Sequence, residues 1–195
     1  MHELGALVGF CSVSSVTPGP NNILLWASGA EFGFRRTIPH VVGTALGIGL
    51  MALAVAGGLG VLITTFPEIE LVMKVAGSAY LLYLAYRIAG ARALERRDVS
   101  RPLGLLQAAA FQAINPKAWI FALGAITTFR PSDLSILAGS MLVALTMMIV
   151  VMPTAAIWAG GGGFLGRLIN GAGTVRIVNL GLAALLAGTV AYVWV

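Results

Sequence analysis

The chain has 195 residues; 58% are apolar and only 10% charged, and the mean hydropathy is +0.94. Soluble domains carry about 25% charged residues, and a globule this poor in charge has little surface to present to water. The composition excludes a soluble enzyme, a disordered chain and a disulfide-stapled secreted domain, and it leaves an integral membrane protein. The formal net charge of +5 comes from few, scattered bases between long apolar runs. It reads as membrane orientation rather than nucleic-acid binding.

A membrane helix needs about 20 apolar residues. The charge-free runs predict six, near 4–28, 41–64, 68–88, 104–128, 134–158 and 176–195. The first run, Leu4 to Ala30, follows Met1-His2-Glu3, which lacks the basic start of a cleavable signal. It is therefore expected to belong to the mature protein. Its single cysteine, Cys11, has no His or Cys cluster around it and reads as a small packing residue. Within this run stands Thr17-Pro18-Gly19-Pro20-Asn21-Asn22. Each proline removes a backbone donor and clashes with the preceding turn, so helix 1 is expected to open here.

Helix 2 carries Gly43-x-x-x-Gly47, then Gly49, Gly57, Gly58 and Gly60, which suit close helix packing in lipid. His40 is expected near an interface, as a structural residue or a proton relay. In helix 3, Glu70 precedes Lys74 by four residues and predicts a surface ion pair. Tyr80, Tyr83 and Tyr86 with Arg87 form an interface belt or a pocket wall. Helix 4 holds Gln112-Ala113-Ile114-Asn115-Pro116-Lys117, with a second expected break at Pro116. After helix 5, Gly160 to Gly163 predict a loop hinge. Gly161, Gly163 and Gly166 formally match G-x-G-x-x-G, but no strand precedes them, so no dinucleotide site is expected.

The loops between helices 1–2, 3–4 and 5–6 hold Arg35, Arg36, Arg87, Arg92, Arg96, Arg97, Arg101, Arg167 and Arg176, nine of the twelve bases. The positive-inside rule then places both termini outside the cytoplasm. The Pro-containing motifs of helices 1 and 4 open two three-helix halves, about 1–90 and 101–195, joined by a basic cytoplasmic loop at about 87–103. Three helices per half is an odd number, so the halves run through the membrane in opposite senses. The expected fold is all-α: one transmembrane domain over residues 1–195, built as two inverted three-helix repeats with helices 1 and 4 broken at the Pro motifs. Broken segments at matching positions point to a transporter binding site.

The chemistry at such a site follows from the breaks. Amides that open a half-helix carry partial positive charge and suit a carboxylate. Carbonyls that end one suit an ammonium group. Asn21, Asn22 and Asn115 add side-chain donors and acceptors. Lys117 is the one charge deep in an apolar segment, where a charge costs roughly 2.5–3.5 kcal/mol. It reads as a carboxylate ligand, a proton-coupling group, or a lysine bonded to freed carbonyls of helix 1. All seven acids lie in loops or near helix ends, so neither a metal site nor a strongly basic substrate is expected. No Walker motif or hydrolase constellation is present, so transport is expected to be secondary or to depend on another subunit.

Four segments now become recognisable. Thr17-Pro18-Gly19-Pro20-Asn21, Ala30-Glu31-Phe32-Gly33-Phe34-Arg35-Arg36, Gly77-Ser78-Ala79-Tyr80-Leu81-Leu82-Tyr83-Leu84-Ala85-Tyr86-Arg87 and Asn115-Pro116-Lys117 together resemble the signature of the LysE/RhtB family of amino-acid exporters. The resemblance covers nearly the whole chain in order and spacing. It implies a six-helix exporter of small amino acids or their derivatives in the bacterial inner membrane, driven by proton exchange. It marks Pro18, Gly19, Pro20, Asn21, Asn115, Pro116 and Lys117 as site positions. With no intramembrane carboxylate, the coupling proton falls to Lys117, to His40 or to the substrate itself.

The expected function is export of a small, neutral amino acid or derivative. The substrate-binding set is Thr17, Pro18, Gly19, Pro20, Asn21, Asn22, Gln112, Asn115, Pro116 and Lys117. No cofactor, metal or nucleic acid is expected; the partners are the substrate, the bilayer and, through the Gly-rich helices, a second copy in a homodimer. An exporter of another small metabolite or ion, a membrane scaffold and an intramembrane enzyme are the alternatives.

Overall fold

A computed structural model describes residues 2–90, 101–168 and 172–194. Every regular element among them is helical. In chain order these are α1 (His2–Val16), α2 (Pro20–Phe32), α3 (Phe34–Ala54), α4 (Gly60–Thr65), α5 (Pro67–Ala89), α6 (Leu105–Ile114), α7 (Pro116–Phe129), α8 (Ile136–Leu168) and α9 (Ala172–Val193). A five-residue π-helical turn, Val55–Leu59, joins α3 to α4. Among the described residues three segments are long and apolar enough to cross a membrane: Phe34–Leu62, Ile136–Leu165 and Gly173–Ala191.

Proline opens three of these helices. Pro20, Pro67 and Pro116 each stand in the first turn, where the missing N–H would have had no intrahelical acceptor. α2 and α3 meet at a single residue, Gly33, whose φ of +81° an L side chain rarely adopts. Helix 2 therefore begins at Phe34 and not near residue 41, and Arg35 and Arg36 lie exposed in its first turn. His40 sits inside α3 and is 1% exposed. Helix 2 is also not continuous to residue 64, because Gly58 turns at φ +109° within the π-helical segment.

The expected hinge at Gly160 to Gly163 is helix instead, and α8 runs 33 residues. Each internal glycine costs about 1 kcal/mol of helix propensity, and tertiary packing overrides it here. A Cβ on Gly162 would strike the Trp26 carbonyl oxygen, and one on Gly29 the Ala159 carbonyl oxygen. These glycines let α2 and α8 touch backbone to backbone. Gly43 and Gly47 do the same for α3 against α6, where a Cβ would meet the Leu105 and Ala109 carbonyl oxygens.

Three apolar clusters hold the helices. Leu7 and Cys11 of α1 pack with Ile48, Met51, Phe121, Val143 and Met147. Ile23 and Leu24 of α2 pack with Leu81, Phe111 and Leu186. Leu25 packs with Val41, Ala155 and Ala159. Thus α1 and α2 belong to different clusters, and the 17–19 segment lies at their junction. Outward-facing Leu50, Ile149, Ile157 and Ile177 are each more than 60% exposed, as an apolar solvent requires. Arg92, Arg96 and Arg97 and the side chains of Glu70 and Arg167 lie outside the described residues, and with Glu70 the expected pair to Lys74.

Candidate functional site

Two of the chain's departures from helix lie at the residues before Pro20 and Pro116. α1 ends at Val16, and Gly19 caps α2 in an extended conformation, φ −167° and ψ 176°. α6 ends at Ile114, and Asn115 caps α7 at φ −92° and ψ 106°. Each interruption leaves last-turn carbonyls on one side and first-turn amides on the other without intrahelical partners. The carbonyl ends carry partial negative charge and the amide ends partial positive charge.

The two interruptions meet. Gln112 Nε2 donates to Asn21 Oδ1 at 3.0 Å, and Thr44 Oγ1 donates to the same oxygen at 3.2 Å. Asn115 Nδ2 donates to Gln112 Oε1 at 3.2 Å. Asn21, Thr44, Gln112 and Asn115 are all buried. The network is neutral and joins α2, α3 and the end of α6. One acceptor is left over, because Asn115 Oδ1 is buried without a partner.

Side chains also take up the carbonyls at the end of α1. Asn22 Nδ2 donates to Ser15 O at 2.8 Å and to Thr17 O at 3.0 Å. Lys117 Nζ donates to Thr17 O as well. Lys117 is thus the second residue of α7, beside the interruption, and its ammonium lies at the carbonyl end of α1. A residual cavity of about 40 Å³ adjoins it. Its polar lining includes Ser14, Ser15, Asn21, Asn22, Thr44, Gln112, Asn115, Lys117 and Thr154, and its apolar lining Ile48, Ala118, Phe121, Val151 and Ala155.

Of the residues singled out from sequence, Gly19, Asn21, Asn22, Gln112, Asn115 and Lys117 line this cavity. Thr17 contributes its carbonyl, while its hydroxyl bonds Val13 O at 2.6 Å within α1. Pro18 is exposed. Pro20 and Pro116 shape the helix starts and do not line the cavity. His40 does not line it either, and both its ring nitrogens lack a partner. Tyr83 accepts a hydrogen bond from Arg87 at 2.8 Å, Tyr86 is exposed, and Tyr80 rests on Phe111 with ring centroids 5.9 Å apart. None of these tyrosines reaches the cavity.

Sequence reasoning missed Ser14, Ser15, Thr44 and Thr154, which all line the cavity. Thr44 lies inside the Gly43-x-x-x-Gly47 run, which reads as packing. Thr154 follows Pro153, a proline inside α8, and a polar residue next to a proline in an apolar helix is a signal that could have found it. Among the described residues no three His, Cys, Asp or Glu side chains gather to hold a metal ion.

The LysE type translocator family matches residues 12–194, almost the whole chain. The chain belongs to that family. Similar proteins include a cysteine/O-acetylserine efflux protein of Escherichia coli (strain K12), 30% identical over 185 residues, covering 94% of this chain and 93% of the relative. The protein of the same name from Salmonella typhimurium is 32% identical over 126 residues, and the match spans 65% of each chain. The chain thus spans just under two thirds of the length of the Salmonella relatives it matches. No solved structure matches it. Members of this translocator family are transporters and not enzymes. Three helices among the described residues are long and apolar enough to cross a membrane, as a translocator requires.

Proposed function

We propose that this LysE-family chain is a secondary active exporter of a small, neutral amino acid or derivative, of the cysteine and O-acetylserine class, in exchange for protons. The observation that carries the reading is the junction of two Pro-started half-helices, joined by Asn21 and Gln112 and capped by an ammonium on Thr17 O. Such a junction offers an amino acid both poles it needs: carbonyls for the ammonium, amides and Lys117 for the carboxylate. The relatives' names supply the substrate class. The lining supports a neutral side chain, since its one charged side chain is Lys117 and no carboxylate lines the cavity.

On this reading α1 with α2 forms one broken span and α6 with α7 another. The six spans form two inverted repeats within a single domain, halves about 1–90 and 101–195. Support comes from the paired interruptions and from the shared length of α5 and α9, 23 and 22 residues. Both termini face the periplasm, on the distribution of bases. The binding set is Thr17, Pro18, Gly19, Pro20, Asn21, Asn22, Gln112, Asn115, Pro116 and Lys117, with Lys117 and His40 as proton-coupling groups. A homodimer through Gly-rich faces remains part of the proposal.

The test is efflux from proteoliposomes loaded with cysteine, O-acetylserine, threonine, leucine or lysine, with and without an inward proton gradient. Faster gradient-driven loss of the small neutral amino acids is expected. Preferential loss of lysine overturns the neutral-substrate reading, and loss of none overturns transport of amino acids in favour of another metabolite or a scaffold. Cysteines placed at the termini and labelled from outside intact cells report the sidedness.

A further inference from the structure

Lys117 and Gly19 carry one step more, resting on the reading of the cavity as an amino-acid site. We propose that Lys117 is a tethered stand-in for the substrate's own amino group. Its ammonium occupies the ammonium subsite at the carbonyl end of α1 while the site is empty, and substrate binds by displacing it.

Four observations lead there. Lys117 Nζ, a primary ammonium, bonds the Thr17 carbonyl at the negative end of α1. A substrate amino group is the same chemical group and wants the same acceptor. Second, Gly19 is extended at φ −167°, a backbone that any residue adopts. Its lack of a side chain is therefore not explained by conformation. It is explained by room: a Cβ there would lie 2.7 Å from Lys117 Cδ and 3.2 Å from Nζ. Gly19 is the slot through which the lysine stem reaches the carbonyl. Third, a cavity of about 40 Å³ adjoins the lysine, so a substrate seated there meets the same Thr17 carbonyl that Lys117 holds. Fourth, Asn115 Oδ1 lacks a partner, and Asn115 lines the same cavity. It is a second acceptor available to an arriving N–H donor.

Displacement also sets specificity. Once off Thr17 O, the lysine ammonium needs an anion, and the substrate's carboxylate supplies it. A zwitterion brings both groups and exchanges partners with the lysine. A simple amine brings only the ammonium and leaves Lys117 unpaired, so the native site rejects it.

The probe is ethylammonium, an amine without a carboxylate, with binding to the purified full chain measured by equilibrium dialysis. Wild type and Lys117→Arg, which keeps a cation on the carbonyl, are expected to bind it weakly. Lys117→Met empties the subsite, and Gly19→Ala pushes the lysine stem out of its slot. Both variants are expected to bind ethylammonium about tenfold more tightly or better, since the occupied fraction no longer discounts affinity. Gly19→Ala keeps the test alive if Lys117→Met fails to fold. Equal binding by wild type and variants, or no gain in either variant, overturns the proposal. The readout is independent of transport. Neutral amino-acid efflux without any ethylammonium gain sinks the displacement and leaves the exporter reading. An ethylammonium gain without efflux does the reverse.

Discussion

Asn21 Oδ1 accepts a hydrogen bond from Gln112 Nε2 at 3.0 Å, although 91 residues separate the two in sequence. Asn21 follows Pro20, which opens α2, and Gln112 precedes the interruption between α6 and α7. The bond therefore couples the two interruptions, and through Asn115 Nδ2 on Gln112 Oε1 it reaches the cap of α7. Truncating one member leaves a buried partner unsatisfied, at about 1–3 kcal/mol. Asn21→Ala and Gln112→Ala are each expected to lower efflux about tenfold or more while the protein still inserts. The double variant should lose no more than the worse single one, because the two act as one network. Efflux rates from proteoliposomes of all four proteins check this; additive losses would show that the residues act separately.

The α2–α8 contact makes a sharper stability prediction. Gly162 and Gly161 are neighbours in α8 with opposite surroundings. A methyl on Gly162 would overlap the Trp26 backbone, whereas one on Gly161 meets only the Trp26 ring at 3.9 Å. Gly162→Ala should destabilise by roughly 1–3 kcal/mol through overpacking. Gly161→Ala should be neutral or slightly stabilising, since alanine is the better helix former. Thermal unfolding in detergent distinguishes them, and equal midpoints would mean that α2 and α8 are not in backbone contact.

How much of this was legible beforehand depends on which residues break a pattern. Proline does so strongly: Pro67 opens α5 within a residue of the helix expected at 68–88. The polar residues beside the Pro motifs stood out against apolar surroundings, and Asn21, Gln112, Asn115 and Lys117 all line the cavity. Thr44 and Thr154 did not stand out. A Ser or Thr in an apolar helix commonly bonds its own preceding turn, as Thr127, Ser140 and Thr146 do here, and no local feature separates those from Thr44, which reaches Asn21. The glycines misled for a related reason. Gly160 to Gly163 have low helix propensity, and only the close approach of α2 at Gly162 makes the lack of a side chain there an advantage.

His40 supplies a prediction about coupling. It is 1% exposed, and neither ring nitrogen has a partner. A buried polar group left unsatisfied costs about 1–3 kcal/mol, so its removal should not weaken the fold. His40→Leu is expected to keep or raise the thermal midpoint. If the imidazole carries the coupling proton, the variant should still exchange internal for external substrate at equal pH. It should lose the acceleration that an inward proton gradient gives to efflux. Unchanged gradient-driven efflux in His40→Leu would leave Lys117 or the substrate as the carrier.

The apolar wall of the cavity sets the last expectation, the size of the substrate side chain. Phe121 and Ala118 stand on one face of α7, three residues apart, and both are buried. Phe121 is held from behind by Phe10, with ring centroids 5.7 Å apart, and Phe10 in turn meets Phe129 at 5.3 Å. The ring is therefore a fixed boundary, whereas Ala118 leaves a recess. Phe121→Ala should move the boundary outward and shift efflux from cysteine-sized toward leucine-sized amino acids. The loss of packing should be about 3–5 kcal/mol, so the measurement belongs at low temperature. Ala118→Leu fills the recess from the same helix face and should suppress efflux of every amino acid larger than alanine, with little change in insertion. The ratio of leucine to cysteine efflux reads both variants. A ratio that does not move in Phe121→Ala would mean that the substrate's side chain points away from α7, toward Val151 and Ala155 of α8.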